Sequence, residues 1–219
     1  MRNVPTAPSG EGANFRRFWI LAVLSGVERG GASPIGLRHF NLMAYFANSV
    51  SRCYDIEPLD PTVLKERGGP LYPQLMWDLD RLVGMRLVRV VNLVIASEGG
   101  ARHVSYAITL GGLNHLKACT ELSDEMKLIT SSLTSAAQAY CRARRGISVE
   151  SMQTKDANIS DPKFGNGDIV DFGEWDNYNA TANAVDFVKS SVEPPFEENT
   201  NIAVNLYAQY LAKTAEVAL

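Results

Sequence analysis

The sequence predicts a mainly α protein of the α+β class, a helical body carrying one antiparallel β-hairpin and followed by a C-terminal helical extension. Three observations carry that reading. Apolar residues recur at helical spacing through most of the chain. Between Leu87 and Ile108 the period drops from 3.6 to 2. Beyond about residue 146 the composition turns from mildly basic to strongly acidic.

Taken in order, residues 1–14 are polar and rich in Pro and Gly and are expected to be disordered. They lack the apolar stretch of a secretory signal, so a cytoplasmic location is expected. A helix is expected over Asn14 to Arg29, with Phe15, Phe18, Trp19, Ala22 and Val23 on one face, and Gly30-Gly31 as its stop. A second helix is expected from Ile35 to Tyr54, with Pro34 as a first-turn signal and Leu37, Phe40, Ala44 and Ala47 as its core stripe. Asp60-Pro61 reads as a cap, so Thr62 to Arg67 is expected to form one or two helical turns before Gly68-Gly69-Pro70.

The next stretch is the most informative. Leu71, Leu75, Leu79 and Leu82 recur at helical spacing, and Pro73 sits early, where its missing N–H costs nothing; a helix is expected over Tyr72 to Val83, with Gly84 as its stop. Leu87 to Ile95 is β-branched and apolar, Ser97 to Gly100 is a turn, and Val104, Tyr106 and Ile108 alternate with His103, Ser105 and Ala107. The drift of outward positions at Val90 and Val91 implies a bulge or burial on both faces. A helix then opens at Thr109 and resumes after Ser123 to about Arg144. Residues 146–179 read as an acidic linker, and residues 180–219 as two docking helices, about Ala180 to Ser191 and Asn201 to Ala218.

Composition excludes several classes. With 219 residues and 46% hydrophobic content the chain can bury a core without staples. Cys53, Cys119 and Cys141 have no CxxC spacing and only three His are present, so neither a disulfide framework nor a zinc cluster is indicated. The longest apolar run, Phe18 to Val27, is about half of what spans a bilayer. Net charge is divided: residues 1–145 hold 17 Lys and Arg against 12 Asp and Glu, a balance of +5, whereas residues 146–219 hold 4 against 12, a balance of −8. This fits either a polyanion-binding body or a basic face that meets an acidic partner.

Several helices, then a helix joined directly to a hairpin, then a helix opening Thr109-Leu110-Gly111-Gly112-Leu113-Asn114-His115-Leu116, is the order of a winged-helix domain, and residues 15–145 resemble that superfamily, most clearly from Phe15 to Cys119. The resemblance implies a recognition-type helix over Tyr72 to Val83 and a wing tip over Ser97 to Arg102. The phrase Gly69-Pro70-Leu71-Tyr72-Pro73 with Trp77-Asp78-Leu79-Asp80-Arg81-Leu82-Val83 looks like the core of the middle components of ABC-three-component antiviral systems. In the Lamassu type such a subunit accompanies an ATPase of the chromosome-maintenance (SMC) class and an effector nuclease. A similar string occurs in Panacea-type antitoxin domains. What the first resemblance implies is a non-enzymatic subunit that bridges ATPase and effector and touches double-stranded DNA. Its alternatives are a homodimeric transcription regulator and an antitoxin-like binder.

If DNA is bound, Lys65, Arg67, Arg81, Arg86, Arg89, Arg102 and His103 are the candidates for a phosphate-positioning rim. The outward face of the recognition-type helix is expected to carry Gln74, Asp78, Asp80 and Arg81, and its two carboxylates argue against base readout. Trp77, one position off the leucine stripe, reads as a half-buried packing residue or an interface anchor. Trp175, Tyr178, Phe187 and Phe196 punctuate the acidic part as candidate partner contacts.

Enzymatic readings have less behind them, and no catalysis, metal or cofactor is expected. Asp168, Asp171, Glu174 and Asp176 offer carboxylates for Mg²⁺ but no accompanying Lys or His. Asp171-Phe172-Gly173 lacks the other kinase motifs, and Gly165-Asn166-Gly167 lacks the Lys-Ser/Thr of a phosphate loop. His115, Lys117 and Cys119 share a helix, but spacing alone does not make a nucleophile and base.

Overall fold

The computed structural model describes residues 12–60, 62–66, 69–95, 102–144, 163, 165–171, 180–192 and 196–216. Among these the chain is mostly helical, with two small antiparallel sheets, in agreement with the α+β expectation. Helix α1 spans Gly12–Arg29, and every residue from Phe18 to Val27 is buried, because other elements pack against it all round. The close neighbour is α5, Asp124–Ala143. A Cβ on Gly26 would lie 2.6 Å from that of Ala137, so glycine is what lets the two backbones approach. Gly31, at φ +70°, turns the chain out of α1.

The expected helix from Ile35 is shorter than its pattern. Ile35–Gly36 is a two-residue strand, β1, and α2 runs Leu37–Val50 before a 3₁₀ turn over Ser51–Tyr54. Ile35 pairs with Tyr106, a partner far down the chain that local periodicity does not register. The segment expected to form helical turns at Thr62 to Arg67 is likewise extended over its described residues. Strand β2, Thr62–Glu66, pairs with β3, Gly69–Leu71, on one side and with β6, Ile169–Asp171, on the other. The Asp60 carboxylate does accept from Thr62 N at 3.0 Å, but the turn it closes leads into a strand. Tertiary pairing of Val63 with Val170, both fully buried, outweighs the local cap. β6 thus lies inside the segment expected to be a linker.

Helix α3, Pro73–Gly84, buries Leu75, Leu79 and Leu82. Its stop is not Gly84, which is still helical. Leu87 N bonds Leu82 O at 3.0 Å and Arg86 N bonds Val83 O at 2.9 Å, and Arg86 takes the left-handed conformation at φ +60° that glycine usually supplies. Strands β4, Val88–Ile95, and β5, Arg102–Ile108, follow as the expected hairpin. Tyr106 pairs with Val90 but Ser105 with Asn92, so Val91 is an extra residue, and the irregularity in the pattern there is a bulge. Strand order in this sheet is β1-β5-β4; in the other it is β3-β2-β6.

Helix α4, Leu110–Thr120, is capped by Thr109, whose Oγ1 accepts from Gly112 N at 3.0 Å and donates to Arg86 O at 2.8 Å. Gly112 is required there, since a Cβ would fall on Leu87 O. Ser123 caps α5 through Met126 N. Helices α6, Ala180–Ser190, and α7, Phe196–Glu216, complete the fold. Val185, Val204, Tyr207 and Ala208 belong to the same core as α1 and α2, and the Phe46 ring lies 5.3 Å from Tyr140 and 6.0 Å from Tyr207. Arg52 with Asp186 and Lys189 with Asp55 tie α6 to the 3₁₀ turn. Two buried asparagines of α2 order the opposite side: Asn41 Oδ1 accepts from Tyr72 N, and Asn48 bonds both Tyr72 Oη and Leu59 N. They set where α3 begins.

Candidate interaction face

Helix α3 separates its residues sharply. Leu75, Asp78, Leu79 and Leu82 occupy the buried stripe at i, i+3, i+4 and i+7, whereas Gln74, Trp77, Asp80 and Arg81 lie outside. Asp78 was expected among the outward residues, and its position is a correction. It is only 4% exposed. Its carboxylate accepts from Arg16 Nε at 2.7 Å and Arg17 Nε at 2.9 Å, both on α1. A carboxylate so placed must be paired, and two adjacent arginines on the neighbouring helix pair it. The sequence held this signal, since Asp78 fits the leucine stripe and Arg16-Arg17 supply its partners. With Asp78 withdrawn, Asp80 is the one carboxylate left exposed on the described surface of this helix.

Trp77 is 76% exposed, which removes the reading of it as a half-buried packing residue. An indole left so far in water gains nothing from folding and is the kind of side chain that anchors protein interfaces. Met85, just beyond the helix, is also exposed. The expected basic positions fall around these residues unevenly. Arg81 on α3, Arg86 at the junction, Arg89 on β4 and His103 on β5 are all exposed. Arg102 lies on β5. Lys65 sits on the other sheet, where its main chain bonds Asp168 O and Gly167 N, and Arg67 falls outside the described residues. Of the candidate basic positions, Arg81, Arg86, Arg89 and His103 are thus brought to α3 and the hairpin, and Lys65 to the other sheet.

Beside Arg89 and His103 the described part of the hairpin also exposes apolar side chains. Val90, Val91, Leu93 and Val94 of β4 are exposed, which overturns the alternative of burial on both faces and leaves the bulge. Of the aromatic partner candidates, Phe187 is exposed on α6 and Phe196 opens α7, while Trp175 and Tyr178 fall outside the described residues. A stripe missed from sequence, Ile202, Leu206 and Tyr210, lies exposed along α7.

Cys119 Sγ is 3.7 Å from His115 Nε2, but burial raises the thiol pKa, which favours the protonated form over a nucleophilic thiolate. Burial pushes the Cys53 thiol further, up to about 11. Asp168 Oδ2 is engaged by Gly165 N in a turn. Among the described residues, no three His, Cys, Asp or Glu side chains converge as a metal site. A cavity of about 20 Å³ between α1, α2 and α5 holds the unpartnered Ser132 Oγ, space for one water. Among the described residues, no helix is long and apolar enough to cross a membrane.

Comparison of the chain with family models, with curated proteins and with solved structures finds no match.

Proposed function

We propose that the chain is a non-catalytic assembly subunit built on a winged-helix core, which docks a partner protein through the exposed face of α3. Support for the core comes from element order: a helix, a short strand, a helix, an inserted β pair, a second-face helix and a hairpin, with β1 beside β5 in the sheet. Trp77 is the observation that carries the docking role. It stands in water on the helix that a DNA reader would present to the major groove, where Arg, Lys, Asn or Gln would be needed. The setting implied by the Gly69-to-Val83 phrase is an SMC-like ATPase antiviral complex, with the chain bridging ATPase and effector nuclease.

A second reading is a homodimeric DNA-binding regulator, favoured by the exposed Arg81, Arg86, Arg89 and His103. Purification of the tagged chain at native expression together with its gene neighbours separates the two. The expected result is co-elution of a large ATPase, reduced roughly tenfold or more by Trp77→Ala. ATPase retained in full by that variant overturns the docking face. A chain that elutes alone and shifts duplex DNA favours the regulator, and one that elutes with a single small toxic protein favours the antitoxin-like binder.

A further inference from the structure

The exposed side of α3 is sorted by charge as well as by polarity. At the helical repeat, Arg81 lies about 40° to one side of Trp77 and Asp80 about 60° to the other. Gln74 and Met85 fall on the Arg81 side, so Gln74, Trp77, Arg81 and Met85 form one exposed strip along the helix. Asp80 is turned towards the hairpin, where its negative charge bears on the Tyr106 hydroxyl of β5. The strip ends at Arg86, which is exposed and stands at φ +60°. Glycine meets that conformation without strain, and arginine does not. The cations that tie elements of the fold together are paired: Arg16 and Arg17 with Asp78, Arg52 with Asp186, Lys189 with Asp55. Arg81 and Arg86 have no ion pair and no side-chain hydrogen bond among the described residues, so nothing in the described fold offsets the strain at Arg86.

We propose that this strip takes an acidic segment of a partner protein, whose carboxylates pair with Arg81 and Arg86 while an apolar side chain beside them packs on Trp77 and Met85. The proposal rests on the docking role of the α3 face and adds the chemistry of what docks there. Charge complementarity selects the occupant: two unpaired arginines lie along the strip, and the one exposed carboxylate of the helix is set apart from them. Guanidinium groups suit carboxylates because their planar fork donates two parallel hydrogen bonds. The apolar half of the strip distinguishes a peptide from a nucleic acid. Trp, Met and Arg are the residue types enriched at protein interfaces. A DNA backbone would satisfy the arginines but leave Trp77 and Met85 without an apolar partner, and its phosphates would be repelled by Asp80.

The full-length chain is titrated by fluorescence anisotropy against three labelled probes: a peptide of glutamates interspersed with leucine and phenylalanine, the same peptide with lysine for each glutamate, and a duplex DNA. The glutamate peptide is expected to bind about tenfold or more tighter than either of the others, and to weaken as salt is raised. Arg81→Gln combined with Arg86→Gly is expected to weaken it about tenfold. Glycine suits the φ +60° backbone, so this variant should keep its circular dichroism spectrum and unfold no earlier than the parent. No binding of the glutamate peptide, equal binding of the two peptides, or indifference to the double substitution overturns the proposal. Duplex DNA bound more tightly and lost in the same variant also overturns it, and makes the strip a phosphate surface. The two readings of α3 fail differently. ATPase capture that Trp77→Ala removes and the arginine variant leaves intact keeps the docking face and rejects the acidic partner, whereas capture untouched by Trp77→Ala rejects the docking face itself.

Discussion

Helix α1 and strand β4 both carry apolar stretches, and the two meet opposite fates. From Phe18 to Val27 every side chain of α1 is inside, enclosed by α3, α4, α5 and β5. From Val90 to Val94 every side chain of β4 is outside. β4 is interrupted by Arg89 and Asn92, and among the described residues fewer elements pack on it, whereas those that enclose α1 arrive from distant parts of the chain. Apolar surface left exposed after the core has closed is available for another molecule, and β4 and Trp77 hold much of it.

The contrast can be broken most forcefully from the buried side. Phe46→Ala removes the ring between Tyr140 and Tyr207 and should cost about 3–5 kcal/mol in urea unfolding. A loss below about 1 kcal/mol would mean that α7 does not close over this core. A step down in size, Asp78→Ala strands Arg16 and Arg17, each about a quarter exposed, and is expected to cost about 2 kcal/mol after allowance for their partial solvation. Asp80→Ala on the exposed side of the same helix should change stability by less than about 0.5 kcal/mol, and equality of the two would refute the placement of α3. The smallest effect belongs to Val94→Thr, which should leave the unfolding midpoint of the isolated protein, at concentrations too low for association, nearly unmoved.

How much of this was legible depended on the range of the interactions responsible. The α3 helix, the hairpin and the start of a helix at Thr109 follow from short-range patterns and were readable, whereas at Val90 and Val91 the pattern left a bulge open against burial on both faces. Asp78 lay within reach too, because its place in the leucine stripe is local even though its arginines are not. β1 was invisible, since two residues have no periodicity and Ile35 becomes a strand only opposite Tyr106. β2 went the same way: Asp60 reads as a helix cap, but its carboxylate closes a turn into a strand that pairs with Val170. Of the candidate face, residue identities were readable, whereas the exposure of Trp77 and of β4 depends on which of the described elements pack beside them.

The pairing of β2 with β6 bears on the order of biosynthesis. Residues 62–66 wait for residues 169–171 to complete their sheet, and Tyr207 lies in the core beside Phe46. As the chain leaves the ribosome, the hairpin can form early because both of its strands are close in sequence, while the centre of the protein stays unfinished until the end. An apolar ribbon is thus presented to the cell before the body that carries it is whole.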